Sequence, residues 1–119
     1  MPGYFPLGGR PVVAVKDTTG RNPGNWTATI SHEIINVTVP VFEMYHLYIQ
    51  SPTLVGQLTI AQVLHNQYFW DVTLIGQYNS WDPAQPLLMT PGDDVIVLFN
   101  VPTTTTPAPQ VVGWFRQPL

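Results

Sequence analysis

The stretch from residue 79 to 100 (NSWDPAQPLLMTPGDDVIVLFN) most constrains what this chain can fold into. Pro83 and Pro86 forbid a helix across residues 81–87, because each lacks an N–H and pushes the residue before it toward extended backbone. Pro91, Gly92, Asp93 and Asp94 then read as a tight turn: proline pre-sets φ, glycine accepts positive φ, and aspartate bonds to nearby backbone. Residues 95–99 (VIVLF) follow, five large apolar side chains rich in β-branching and bounded by turn formers. That pattern predicts a buried strand.

The rest of the chain repeats the scheme. Further strands are expected over residues 11–16, 26–30, 33–41, 42–50, 57–64, 68–75 and 111–117. Within 33–41, Ile35, Val37, Val39 and Val41 share a face, and Pro40 confines the strand's end to an edge or a bulge. Within 42–50, strict alternation puts Phe42, Met44, His46, Tyr48 and Gln50 on one face and Glu43, Tyr45, Leu47 and Ile49 on the other. Residues 57–64 fit a helical period as well; Thr59, Ile60 and Val63 favour strand. Thirteen prolines and nine glycines punctuate these runs. The expectation is one all-β domain over residues 11–119, an antiparallel, jelly-roll-like β-sandwich of about eight strands. Residues 1–10 (MPGYFPLGGR) hold Tyr4, Phe5 and Leu7 among prolines and glycines, and read as an extended N-terminal arm laid over its own or a neighbouring subunit. Residues 101–110 (VPTTTTPAPQ) read as a Thr/Pro-rich spacer before the last strand.

Composition narrows the function. Charged residues make up 9% of the 119, far below the usual quarter. A surface so poor in charge fits burial against other chains better than a free monomer. Four basic residues and a formal charge of −3 argue against nucleic acid, which is bound by clustered Lys and Arg. No apolar run approaches the roughly 18 residues that a membrane helix needs, and the first residues lack the apolar core of a signal peptide. The absence of cysteine excludes disulfides, thiol catalysis and thiolate metal sites.

No catalytic, cofactor or metal set stands out. His32, His46 and His65 lack metal-ligand spacing, and Glu43 and His46, at odd separation, should point to opposite faces. Asp82, Asp93 and Asp94 sit among turn formers, Asp71 lies mid-strand, and no nucleophile elbow or phosphate loop is present. Of the four tryptophans, Trp81 in a polar Asn-Ser-Trp-Asp context is the best candidate for an exposed ring. With Tyr78 nearby it makes a possible glycan-stacking platform.

Residues 42–46 (FEMYH), 68–71 (YFWD), 79–89 (NSWDPAQPLLM) and 91–93 (PGD) together resemble small β-sandwich virion proteins of tailed phages that infect actinobacteria. The resemblance covers about residues 40–100 and rests on turns and strands, not on a catalytic signature. It implies a non-enzymatic capsid decoration (cement) protein or a minor head or tail protein. It further implies location on the capsid surface, a homo-oligomer (a trimer or another ring), and the major capsid protein as partner. The alternative expectation is a carbohydrate-binding module displayed on the virion. In either case Tyr4, Phe5, Leu7, Tyr78 and Trp81 are the candidate contact residues.

Overall fold

The computed structural model describes residues 10–17, 25–35, 41–51, 60–102 and 108–118. Burial follows the alternation of apolar and polar residues along much of the chain, with exceptions at Thr27 and in β4. The strands are β1 (Arg10–Val13), β2 (Val15–Asp17), β3 (Asn25–Ser31), β4 (Phe42–Gln50), β5 (Ile60–His65), β6 (Tyr68–Thr73), β7 (Tyr78–Trp81), β8 (Leu87–Met89), β9 (Asp94–Pro102) and β10 (Gln110–Arg116). One helical turn, α1 (His32–Ile35), interrupts them.

All pairings are antiparallel, and one set of them nests. β5 pairs with β6, β4 with β7 and β8, β3 with β9, and β1 with β10. Successive nested pairs fall alternately in two five-stranded sheets, ordered β2-β3-β9-β5-β6 and β1-β10-β4-β7, with β8 also on β4. A long hairpin wrapped in this way is a jelly roll, so the expected class is the observed one. Between the sheets, Trp26, Ala28, Ile30, Val95, Val97, Phe99, Ala61 and Val63 meet Phe42, Met44, Leu47, Ile49, Met89, Val111 and Phe115, all buried.

The departures from expectation have local causes. The single strand expected at 11–16 is two: the chain changes sheets at Ala14, whose N–H donates to the Val111 carbonyl at 2.9 Å. The strand expected at 33–41 does not start at Glu33, because residues 32–35 turn helically; residues 36–40 lie outside the described residues. Glu33 explains the turn's placement. Its carboxylate accepts from the Gly92 N–H at 3.0 Å while the His32 N–H donates to the Asp93 carbonyl at 2.9 Å, tying α1 to the turn before β9. Residues 79–81 and 87–89, read as turn and connection, form β7 and β8 on β4, so Pro83 and Pro86 break one edge into two short strands.

The alternation in β4 also shifts phase. His46 pairs with Trp114 and Met44 with Phe115, leaving Tyr45 as an extra residue, a β-bulge. Phe42 and Met44 therefore share the core face with Leu47 and Ile49, while Glu43, His46 and Tyr48 look outward. Glu43 and His46 are consequently on the same side, contrary to the regular-strand expectation.

The turn before β9 forms as read. Gly92 adopts φ 90°, and the Asp93 carboxylate accepts from the Thr90 N–H (3.1 Å) and hydroxyl (2.9 Å). Arg10, expected in the arm, begins β1; residues 1–9, with Tyr4, Phe5 and Leu7, lie outside the described residues. The expected spacer is shorter than residues 101–110, since Val101 and Pro102 belong to β9 and Gln110 to β10; residues 103–107 lie outside the described residues.

Candidate functional site

The two expected contact residues inside the described chain fall on different faces. Trp81 pairs with Leu47 and turns inward, half-buried against the core, its ring centroid 5.8 Å from that of Trp70. It is not the exposed end of a loop, which corrects the expectation. Strand formation at β7 is the cause: Ile49 and Leu47 of β4 draw Asn79 and Trp81 to the core side. Tyr78, three residues earlier, is exposed and stacks on Tyr48 with centroids 6.3 Å apart and planes 13° apart. The two rings cannot form one platform.

The outer face of the β4 sheet carries polar pairs. His46 Nδ1 meets Asp82 Oδ1 at 2.5 Å, and the His46 ring packs edge-on against Trp114 at 5.1 Å. Asp82 thus bridges to β4 as well as preceding a proline. Arg116 donates to Glu43 at 2.8 Å and lies 4.6 Å over the Tyr45 ring. His46 has no second hydrogen-bond partner among the described residues that could act as a nucleophile. Nor do three or more His, Asp or Glu side chains gather there into a metal-sized group. His32 is buried against the Phe42 ring, 5.4 Å away.

What the fold does gather is an apolar margin. Eight large apolar side chains are exposed among the described residues. Val13 and Val15 flank Ala14, where β1 and β2 meet, and so mark one side of the sandwich. The other six, Ile60, Tyr68, Phe69, Ile75, Tyr78 and Leu88, lie on β5, β6, β7 and β8 or on the link after β6. β6 ends one sheet and β7 and β8 end the other, and the Trp70–Trp81 contact brings these two edges together. Six of eight exposed apolar groups therefore sit on the strands that end, or lie next to the end of, the two sheets at this margin, or on the link after β6.

This margin is built from the β5–β6 hairpin. Asn66 takes the left-handed backbone (φ 56°) that a two-residue hairpin loop requires, and it sets His65 opposite Tyr68. Register then aims Tyr68, Trp70 and Val72 between the sheets and Phe69, Asp71 and Thr73 outward. Below it, Asn79 shapes the approach to β7: its carboxamide accepts from the Ile75 N–H (2.9 Å) and donates to the Gly76 carbonyl (2.9 Å). Between hairpin and β7–β8 link opens a groove of about 570 Å³, walled by Tyr68, Trp70, Pro83, Pro86 and Leu88, with Asn66 and Gln85 at its rim. None of its ten lining residues is Asp, Glu, Lys or Arg. His65 lies at its base, 7% exposed, its Nε2 without a hydrogen-bond partner.

No protein-family model, curated protein or solved structure matches the chain. The aromatic hairpin strand was visible in the sequence only as a strand. The missed signal was that YFWDVT contains neither proline nor lysine, the residues that usually blunt an exposed edge.

Proposed function

We propose that this protein is a non-enzymatic virion structural protein, a capsid decoration protein that packs against copies of itself and against the major capsid protein on the shell's outer surface. The observation that carries the reading is the one-sided margin of six exposed apolar side chains on a chain with 9% charged residues. An apolar margin of this kind suits an association surface, because burying it releases ordered water. Jelly rolls recur in viral capsid proteins, and that fold-level analogy adds weight without deciding function. Such a protein would stabilise the shell by mass action, binding the assembled state better than the dispersed one.

The test uses parent capsids that lack the protein. Added protein should co-sediment with them and raise the temperature at which the shells open. A protein that stays monomeric by light scattering and leaves the shells bare would refute the reading.

The groove favours a second reading, a neutral glycan ligand. Aromatic faces beside side-chain amides suit sugar rings, whose CH faces stack while their hydroxyls bond, and the lining carries no carboxylate or cation. On this reading the stacking residues are Tyr68 and Trp70, not Tyr78 and Trp81. A glycan array should then give a signal that Tyr68→Ala abolishes; a blank array would remove it.

A further inference from the structure

A sandwich has four sheet edges, each a row of unpaired N–H and C=O groups open to another chain unless something blunts it. Three edges here are blunted. β1 carries Pro11, which has no N–H to offer. β2 is three residues long and contains a lysine. The β7–β8 edge is split into strands of four and three residues with Pro83 and Pro86 between them. β6 is different. It runs six residues, contains no proline, lysine or bulge, carries Asp71 as its one charge, and on its far side pairs with no strand among the described residues. Tyr68 and Phe69 on it are 69% and 61% exposed, within the apolar margin.

We propose that β6 is where two copies of this chain join, edge to edge and antiparallel about a two-fold axis at Trp70, so that two five-stranded sheets become one ten-stranded sheet. The inference rests on the assembly reading above and names its partner and geometry. The partner is a second copy because no other edge among the described residues offers a long unblunted strand: like pairs with like, which makes the contact isologous. It is two-fold, in place of the three-fold ring that the family resemblance implies.

The register follows from charge and overlap. Two-fold pairing that keeps both outer faces on one side must centre on a residue, not between residues. Centring on Asp71 sets the two Asp71 carboxylates directly opposite, a destabilising like-charge pair. Centring on Phe69 leaves only residues 68–70 of each strand overlapping. Centring on Trp70 overlaps residues 68–72, sets Tyr68 against Val72 as an aromatic and β-branched pair, and sets Phe69 against Asp71.

The absence of cysteine makes this register directly measurable. Residues directly opposite in an antiparallel pair have Cα atoms about 4.5–5.5 Å apart, within disulfide reach. The two copies of residue 69 would be offset by two residues, about 8 Å apart and out of reach. Phe69→Cys mixed with Asp71→Cys should therefore give a cross-linked dimer on mild oxidation, while either variant alone should not. Light scattering should report twice 13.3 kDa for the natural chain, and 13.3 kDa for Phe69→Lys with an unchanged circular dichroism spectrum. An oligomer that Phe69→Lys leaves intact, with no cross-link specific to the mixture, overturns this inference and leaves the decoration reading standing. A monomer that still binds bare shells does the same, and assigns the β6 edge to the shell. A monomer that binds nothing removes both.

Discussion

Replacing Gly113 with alanine tests the packing of the two sheets behind β10. Gly113 faces the core from β10, opposite Leu47 on β4 and Val12 on β1. A Cβ at this position would stand 2.8 Å from Phe115 Cε2, 2.9 Å from Ile30 Cδ1 and 3.2 Å from Met44 Sδ. Carbon atoms pack best at roughly 3.5–4.0 Å, so the two carbon neighbours must each retreat by about 0.6 Å or more. The Ile30 methyl and the Met44 thioether end flexible side chains and can move. The Phe115 ring, as fully buried as both of them, is rigid and can shift only as a whole. Overpacking by a methyl group costs about 1–3 kcal/mol, and replacing a strand glycine returns roughly 0.5–1 kcal/mol of chain entropy. The net expectation is a loss of about 0.5–2 kcal/mol, or a fall in Tm of roughly 2–10 °C for a chain of this size. Urea denaturation followed by tryptophan fluorescence measures it. A second variant isolates the cause. Ile30→Val alone should cost about 0.5–1.5 kcal/mol, and less by at least about 0.5 kcal/mol beside Gly113→Ala, because it removes one of the intruding atoms. A Gly113→Ala protein as stable as the natural chain, or a strictly additive double variant, would refute the reasoning.

Trp81→Ala should lower stability by about 2–3 kcal/mol and Tyr78→Ala by less than about 1 kcal/mol, since only the first ring packs on the core; thermal melts in which the two cost the same would contradict this placement. Gly92→Val should cost about 1–2 kcal/mol through backbone strain alone, because φ is 90° and nothing lies within 4 Å of a Cβ built there; an unchanged Tm would mean that the turn can relax. Val97→Asp should yield no cooperatively folding protein, as it places a carboxylate at a site 1% exposed beside Phe99 and Val95, and a sharp urea transition from soluble variant protein would contradict the core position.

Local chemistry was enough to read most of the fold. Two-residue alternation located β3, apolar and β-branched runs between turn formers located β5, β6, β9 and β10, and the Pro91–Gly92 turn formed with the backbone that its glycine suggested. What escaped was set by distant parts of the chain. A bulge at Tyr45 depends on the strand opposite, so the facing of His46 could not be read from residues 42–50 alone. Nor could α1, whose position is held by Gly92, 59 residues further on. Trp81 misled because its polar neighbours suggest a loop, whereas pairing with β4 turns alternate residues of that loop inward. The apolar margin is likewise an assembled property. Tyr68 and Leu88 line one groove only because two sheets end on the same side.

The nesting of strand pairs also orders events in time. His65 and Tyr68 are joined by a two-residue loop, whereas Val13 and Val112 stand about 100 residues apart. Closing a long loop in one step carries a larger entropy cost than closing it after shorter ones, since that cost grows with the logarithm of the free length. Each inner pair shortens the free chain that the next must close, so folding should proceed outward from the β5–β6 hairpin, with β1 docking last. Pulse-labelled hydrogen exchange would show this as early protection of residues 61–72 and late protection of residues 10–13; simultaneous protection would mean a single concerted collapse. The strand that starts the fold is then the same β6 whose outer edge has no partner strand among the described residues. In a crowded solution the earliest structured element would also be the stickiest, so the rate of completing the sandwich sets how long nascent chains can join through the wrong strands.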